Sequence, residues 1–196
     1  MPGLGGRDRY HGGVLAVWIV VGVVVLALLY VVLAYNHLVR LRVNVDNAWS
    51  QIDVQLRRRY DLIPNLIESV KGYAAHEREV FEDVTKARSQ AEAASGVADQ
   101  ADAENQVTRS LRQLIAVAEN YPDLKANQNF LALQEELTGT ESKIAYARQF
   151  YNDEVAALNT RIQSFPSSVI ARAGHFTPRE FFEIDEPAKG PVQVEF

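Results

Sequence analysis

Residues 130–165 read FLALQEELTGTESKIAYARQFYNDEVAALNTRIQSF, and their spacing decides the fold class. The apolar positions are Phe130, Leu133, Leu137, Ile144, Ala147, Tyr151, Val155, Leu158, Ile162 and Phe165. They step by three, four or seven residues throughout, which is one stripe along an α-helix. The stripe keeps its phase across Gly139, although glycine there costs about 1 kcal/mol relative to alanine. Thr138-Gly139-Thr140-Glu141 also fits a capping box that would restart the helix. The unbroken phase favours one helix from Asp123 to Phe165, ended by Phe165-Pro166.

Working back towards the N-terminus, the same period recurs. Leu41, Val45, Ala48, Ile52, Leu56 and Ile63 form one stripe, and Leu66, Val70, Tyr73, Val80, Val84, Ala87 and Ala91 continue it. Pro64 lies between them. It lacks an N–H and crowds the preceding turn, so it kinks one long helix or starts a second near Asp61. The phase survives across it, which favours the kink. Ser95-Gly96 marks a connection, and a third helix is expected over residues 102–119 with Val107, Leu111, Leu114 and Ala118 inward. Asn120-Tyr121-Pro122-Asp123 reads as a turn and a helix start. No long strand pattern occurs. The fold class is all-α: an antiparallel bundle of about four long helices, with a coiled-coil oligomer as the other use of such stripes.

Before the bundle, Val14 to Tyr35 holds 22 residues with no charge, all apolar except Gly22. At 1.5 Å per residue they reach about 33 Å, against a hydrocarbon core of about 30 Å. Trp18, Tyr30 and Tyr35 lie towards the ends, as interfacial aromatics do. A cleaved signal peptide is the competing reading, but the run is too long and no small-x-small cleavage site follows. The organisation is therefore a flexible leader (1–13), a transmembrane anchor (14–35), a helical bundle (36–166) and a mostly extended tail (167–196), in which 192–196 alternates like a short strand. Arg7 and Arg9 precede the span. Arg40, Arg42 and, further on, Arg57, Arg58 and Arg59 follow it, which gives the bundle side a small edge for the cytosol.

The 196 residues are 47% hydrophobic with a net charge of −5 and no cysteine. The charge argues against a nucleic-acid partner. The lack of cysteine excludes disulfides, thiolate metal sites and thiol catalysis. His76-Glu77 begins like a zinc-protease helix, but Val80 stands where the second histidine would be. No phosphate-cradling loop, nucleophile elbow or paired Glu-x-x-His motif is present. No enzyme activity, metal or cofactor is expected.

Two polar segments are denser than a plain bundle requires. The first holds Asp53, Gln55, Arg57, Arg58, Asp61 and Asn65, and the second Asp123, Lys125 and Asn127. Three uses are open: buried Arg–Asp pairs that set helix register, with Asp53 and Asp61 as the acids; capture of a membrane-protein partner; or contact with lipid headgroups. The last is weakened because the arginine triplet lies about 33 Å beyond Tyr35 on a straight helix.

At these residues the chain resembles the LemA family. The similar segments are residues 35–39 (YNHLV), 48–59 (AWSQIDVQLRRR), 61–66 (DLIPNL), 70–74 (VKGYA), 119–127 (ENYPDLKAN) and Tyr151-Asn152. The resemblance runs from Tyr35 to Phe182 and weakens after Asp185. It implies a bacterial single-pass membrane protein with an antiparallel helical bundle, its N-terminus outside and the bundle cytosolic at the inner membrane. The family has no established molecular activity and no catalytic set. Its magnetosome-associated branch implies a role in organising membranes or membrane complexes. This chain has Val43-Asn44-Val45 where a basic triplet starting with Asn is common. The expectation is a non-enzymatic scaffold or adaptor for a membrane-protein partner, with a lipid or small-ligand binding module as the alternative and self-association left open.

Overall fold

A computed structural model of the protein describes residues 7–183, with side chains from residue 17 onward. Six helices are present among them: α1 (Arg7–Lys71), α2 (Arg78–Ala93), α3 (Val97–Glu119), α4 (Pro122–Lys125), α5 (Gln128–Gln163) and α6 (Ser167–Ala173). The all-α expectation is met. The chain divides into two compact units, Met1–Val43 with Ala157–Pro178, and Asn44–Ala156 with Arg179–Phe196.

The first unit carries the apolar stretch. Among the described residues, α1 is the one helix long and apolar enough to cross a membrane, and only 6% of its most apolar window is buried. Near the end of that stretch Ala34 and Leu38 are buried, as are Ala171 and Phe176. Tyr35 meets the Phe176 ring edge-on at 5.6 Å, and the Arg42 guanidinium lies 5.4 Å from the same ring. Gly174 is required there, because a Cβ would come within 2.8 Å of Phe176 and 3.1 Å of Tyr35.

The second unit is the bundle. Asn44 reaches Glu154 on α5, Arg59 reaches Glu141 and Arg58 reaches Glu136. Position numbers fall on α5 as they rise on α1, so the two helices are antiparallel. Val45, Ala48, Ile52, Leu56, Ile63, Leu66 and Val70 of α1 are buried, with Phe130, Leu137, Ile144 and Val155 of α5. The shorter α2 and α3 pack on each other and complete the core with Phe81, Val84, Val107, Leu111 and Leu114.

Four readings are corrected. Leu66 to Ala91 is not one helical run: α1 ends at Lys71, and the N–H groups of Tyr73 and Ala74 both bond to the Val70 carbonyl as the chain reverses. A reversal that lands in phase leaves the stripe intact, so periodicity could not reveal it. Asp123 to Phe165 breaks at Ala126-Asn127, and Phe165 lies beyond the helix end, exposed. The segment read as a mostly extended tail opens with α6 before running without helix from His175 to Glu183. The leader is helical from Arg7; its first six residues, and the 192–196 strand, lie outside the described residues. By contrast α1 continues through Pro64 and α5 through Gly139. Thr138 and Thr140 hydroxyls bond back to the carbonyls of Gln134 and Glu136, which satisfies them inside a continuing helix rather than at a cap.

Candidate functional site

Three consecutive arginines on α1 point in three directions, because each residue turns a helix by about 100°. Arg57 pairs with Asp53 one turn back, at 2.9 Å and well exposed. Arg58 crosses to Glu136 on α5 at 2.8 Å. Arg59 points inward. It forms an ion pair with the fully buried Glu104 of α3, bonds Glu141 of α5 at 2.9 Å and lies 3.3 Å from the Thr108 hydroxyl. Tyr60 donates to Glu104, and Gln100 Nε2 lies 2.8 Å from the same carboxylate and 3.1 Å from the Ala91 carbonyl. Burial raises the Tyr60 phenol above its ordinary 10.0, against the lowering effect of the Arg59 charge. One guanidinium thus ties three helices together, buried itself and reaching the half-buried Glu141.

One of the three uses open from the sequence is a buried Arg–Asp pair that sets register; Arg59 is buried, but Asp53 and Asp61 are not its acids. Asp53 serves Arg57 on the surface, and Asp61 is exposed with no ion pair among the described residues. The true acids come from other helices. Sequence reasoning missed Arg59, Glu104 and Glu141 as a set. Glu104 precedes Val107 and Leu111 on the buried face of α3, and a charge in an apolar stripe was the available signal.

The remaining sequence candidates separate. Asp53, Arg57 and Asp61 come together with Trp49, Tyr60 and Glu92 around a polar cavity of about 490 Å³. Gln55 faces the other flank of α1, in a groove of about 520 Å³ with Val54, Lys143, Tyr146 and Phe150. Its Oε1 is buried and has no hydrogen-bond partner. Val54 and Tyr146 are 60% and 75% exposed there. Asn65 is exposed, its backbone carbonyl accepting from Ser69. Asp123 and Lys125 are exposed on α4. Asn127 is a cap: its Oδ1 accepts from the N–H groups of Asn129 and Phe130, and its Nδ2 donates to the Tyr73 hydroxyl.

A second constellation was not foreseen. Phe182 is buried against Trp49, with ring centroids 5.7 Å apart, and Trp49 meets Tyr151 at 5.5 Å. Asn152 holds the Phe182 backbone twice, accepting its N–H at 2.9 Å and donating to its carbonyl at 3.2 Å. The Tyr151 hydroxyl donates to the Glu180 carbonyl, and Arg179 pairs with Asp46 at 2.9 Å. Among the described residues no cluster of three or more His, Cys, Asp or Glu side chains is placed to hold a metal.

The chain is similar to known proteins along most of its length. It is 26% identical to Protein LemA of Metamycoplasma hominis over 138 residues, 70% of this chain and 63% of that protein. It is 23% identical over 180 residues to magnetosome proteins MamQ 2 and MamQ 1 of Paramagnetospirillum magneticum, 79% of this chain and 66% of each. It therefore spans less than two thirds of the length of these relatives. The pattern that defines the LemA family matches residues 48–196, further towards the C-terminus than the resemblance to Phe182. That stretch holds Trp49, the whole Arg59 network and the Phe182 clamp, and by it the protein belongs to the LemA family.

Proposed function

We propose that the protein is a membrane-anchored, non-enzymatic adaptor that captures a helix of another membrane protein in the groove between α1 and α5. The observation that carries this reading is the groove itself: Val54, Tyr146 and Phe150 are exposed together beside the unpartnered Gln55 oxygen. An apolar helix face bearing one donor would cover the rings and satisfy that oxygen. The anchor holds the groove near partners confined to the same plane. The MamQ relatives carry magnetosome names, which fits work on a membrane surface. The site of action in this reading is the bacterial inner membrane, with the N-terminus outside and the bundle in the cytosol.

The test is cross-linking in native membranes followed by purification of the full chain. Tyr146→Ala with Phe150→Ala is expected to lose a stoichiometric membrane-protein partner while the bundle melts within a few degrees of the parent. The same partner at the same yield from the variant refutes the groove, and no partner at all refutes the adaptor.

A second reading rests on the α1–α2 groove, about 650 Å³, lined by Ile63, Pro64, Ile67 and Phe81 together with Lys71 and Lys86 and the acids Glu68 and Glu82, Glu68 pairing with Lys71. The apolar wall fits an acyl chain, and the two ammonium groups its acidic head. Lys71→Glu with Lys86→Glu is expected to weaken binding of an anionic fluorescent fatty acid; unchanged binding rejects this use.

A further inference from the structure

The cleft that holds Phe182 has the features of a peptide-recognition site. Its walls are side chains of α1 and α5, and what they hold is mostly backbone. Asn152 reads one residue's N–H and carbonyl together, as the neighbouring strand of a sheet does. Tyr151 reads a second carbonyl two residues earlier. Among the described contacts two side chains carry specificity: the Phe182 ring on Trp49 and the Arg179 charge on Asp46. Residues 179–183 have no helix of their own. The Asn152, Tyr151, Trp49 and Asp46 contacts come from α1 and α5, so an identical segment from elsewhere would make that set.

We propose that this cleft is an exchange site, and that a second copy of this chain places its own Arg179–Phe182 segment there. Three features support a second copy as the occupant. The contacts broken in one chain are remade in the other, so exchange is nearly neutral in contact energy. Pro178 directly precedes Arg179; it fixes its own φ and biases Thr177 to extended backbone, which stiffens the approach to the segment. The apolar helix confines copies to one plane, where the same residues of neighbouring molecules lie at matching depth and high effective concentration. This goes beyond the adaptor reading: it uses the opposite flank of α1 and a different occupant, and neither depends on the other.

The native chain has no cysteine, which makes a clean test possible. Full-length Asp46→Cys and Arg179→Cys chains, both exposed sites, are co-reconstituted in vesicles and treated with a short bis-maleimide. A mixture of Ser142→Cys with Arg179→Cys reports random collision. The expected result is a dimer band from the Asp46→Cys and Arg179→Cys mixture at least about fivefold above the collision control. It falls to that background when Phe182→Ala is added to the Arg179→Cys chain. A band no stronger than the collision control, with the double variant Asp46→Cys/Arg179→Cys cross-linking within single chains, overturns the proposal. So does a dimer that Phe182→Ala leaves unchanged.

Discussion

Neighbouring residues of one type carry different energies here, and burial decides which matters. Arg57 and Asp53 are an exposed pair one turn apart, worth a few tenths of a kcal/mol. Arg58 and Glu136 are about half-exposed and join two helices, so their pair also stays below about 1 kcal/mol. The Arg59 side chain is 2% exposed and Glu104 is fully buried. Removing one partner leaves an uncompensated charge in the interior, at about 3–5 kcal/mol. Denaturant melts of the full chain in detergent should therefore rank Arg59→Ala far below Arg58→Ala and Arg57→Ala. A cost for Arg59→Ala under about 1 kcal/mol would contradict the buried network. Replacing Arg59 by Met and Glu104 by Leu together should recover much of the loss, since a packed apolar pair has no charge to desolvate. The Tyr60 phenol adds a pH signature. Burial raises its pKa above 10.0, so folding favours the protonated form. The stability this contributes is complete below pH 10 and is lost as pH rises through the higher folded value. Tyr151 is shifted the same way, again by burial. Melting temperature should fall less steeply above pH 10 in Tyr60→Phe than in the parent, and equal slopes would remove Tyr60 from the account.

At the scale of single helices, ends and breaks set the register. Asn127 stops α4 from running into α5 by accepting the first free N–H groups of the new helix. Asn127→Ala should cost about 1 kcal/mol, measured as a lower denaturation midpoint with an unchanged slope. Gly139 sits exposed inside α5, and a methyl group added there would meet nothing within 4 Å, so Gly139→Ala should stabilise by about 0.5–1 kcal/mol. The helices were legible because their stripes are long. The breaks were less so: the turn after Lys71 keeps the apolar phase, and Asn127 is a polar residue in a polar run. Besides Glu104 within the α3 stripe, the buried network was legible as a gap. The α1 stripe jumps seven residues from Leu56 to Ile63, and the α5 stripe jumps seven from Leu137 to Ile144. Arg59 falls in the first gap, and Thr140 and Glu141 in the second; Arg59 and Thr140 are almost fully buried. On α5 the polar pair Thr140-Glu141 at the expected turn marked the charged centre of the core; on α1 the buried Tyr60 fills that turn beside Arg59. The Phe182 clamp gave no such mark, because an aromatic pair after prolines has no period to violate.

For the molecule as a whole, one apolar helix stretch joined to a charged bundle makes sidedness the governing question. Arg7 and Arg9 lie before the apolar run, and Arg40, Arg42 and the 57–59 triplet after it. Of the triplet, Arg59 is neutralised inside the bundle by Glu104 and Glu141, and Arg57 and Arg58 are both paired. Orientation is set during insertion, before the bundle folds, so these later pairings do not cancel the bias that lysines and arginines near a span exert. The bundle is expected on the cytosolic side. Because the chain has no cysteine, Ser142→Cys places one thiol on an exposed position of α5. A maleimide that cannot cross membranes should leave it unlabelled in intact cells and label it fully once the membrane is permeabilised. Labelling in intact cells would put the bundle outside, and any partner of the α1–α5 groove or exchange of the Phe182 segment would then have to be sought on that face of the membrane.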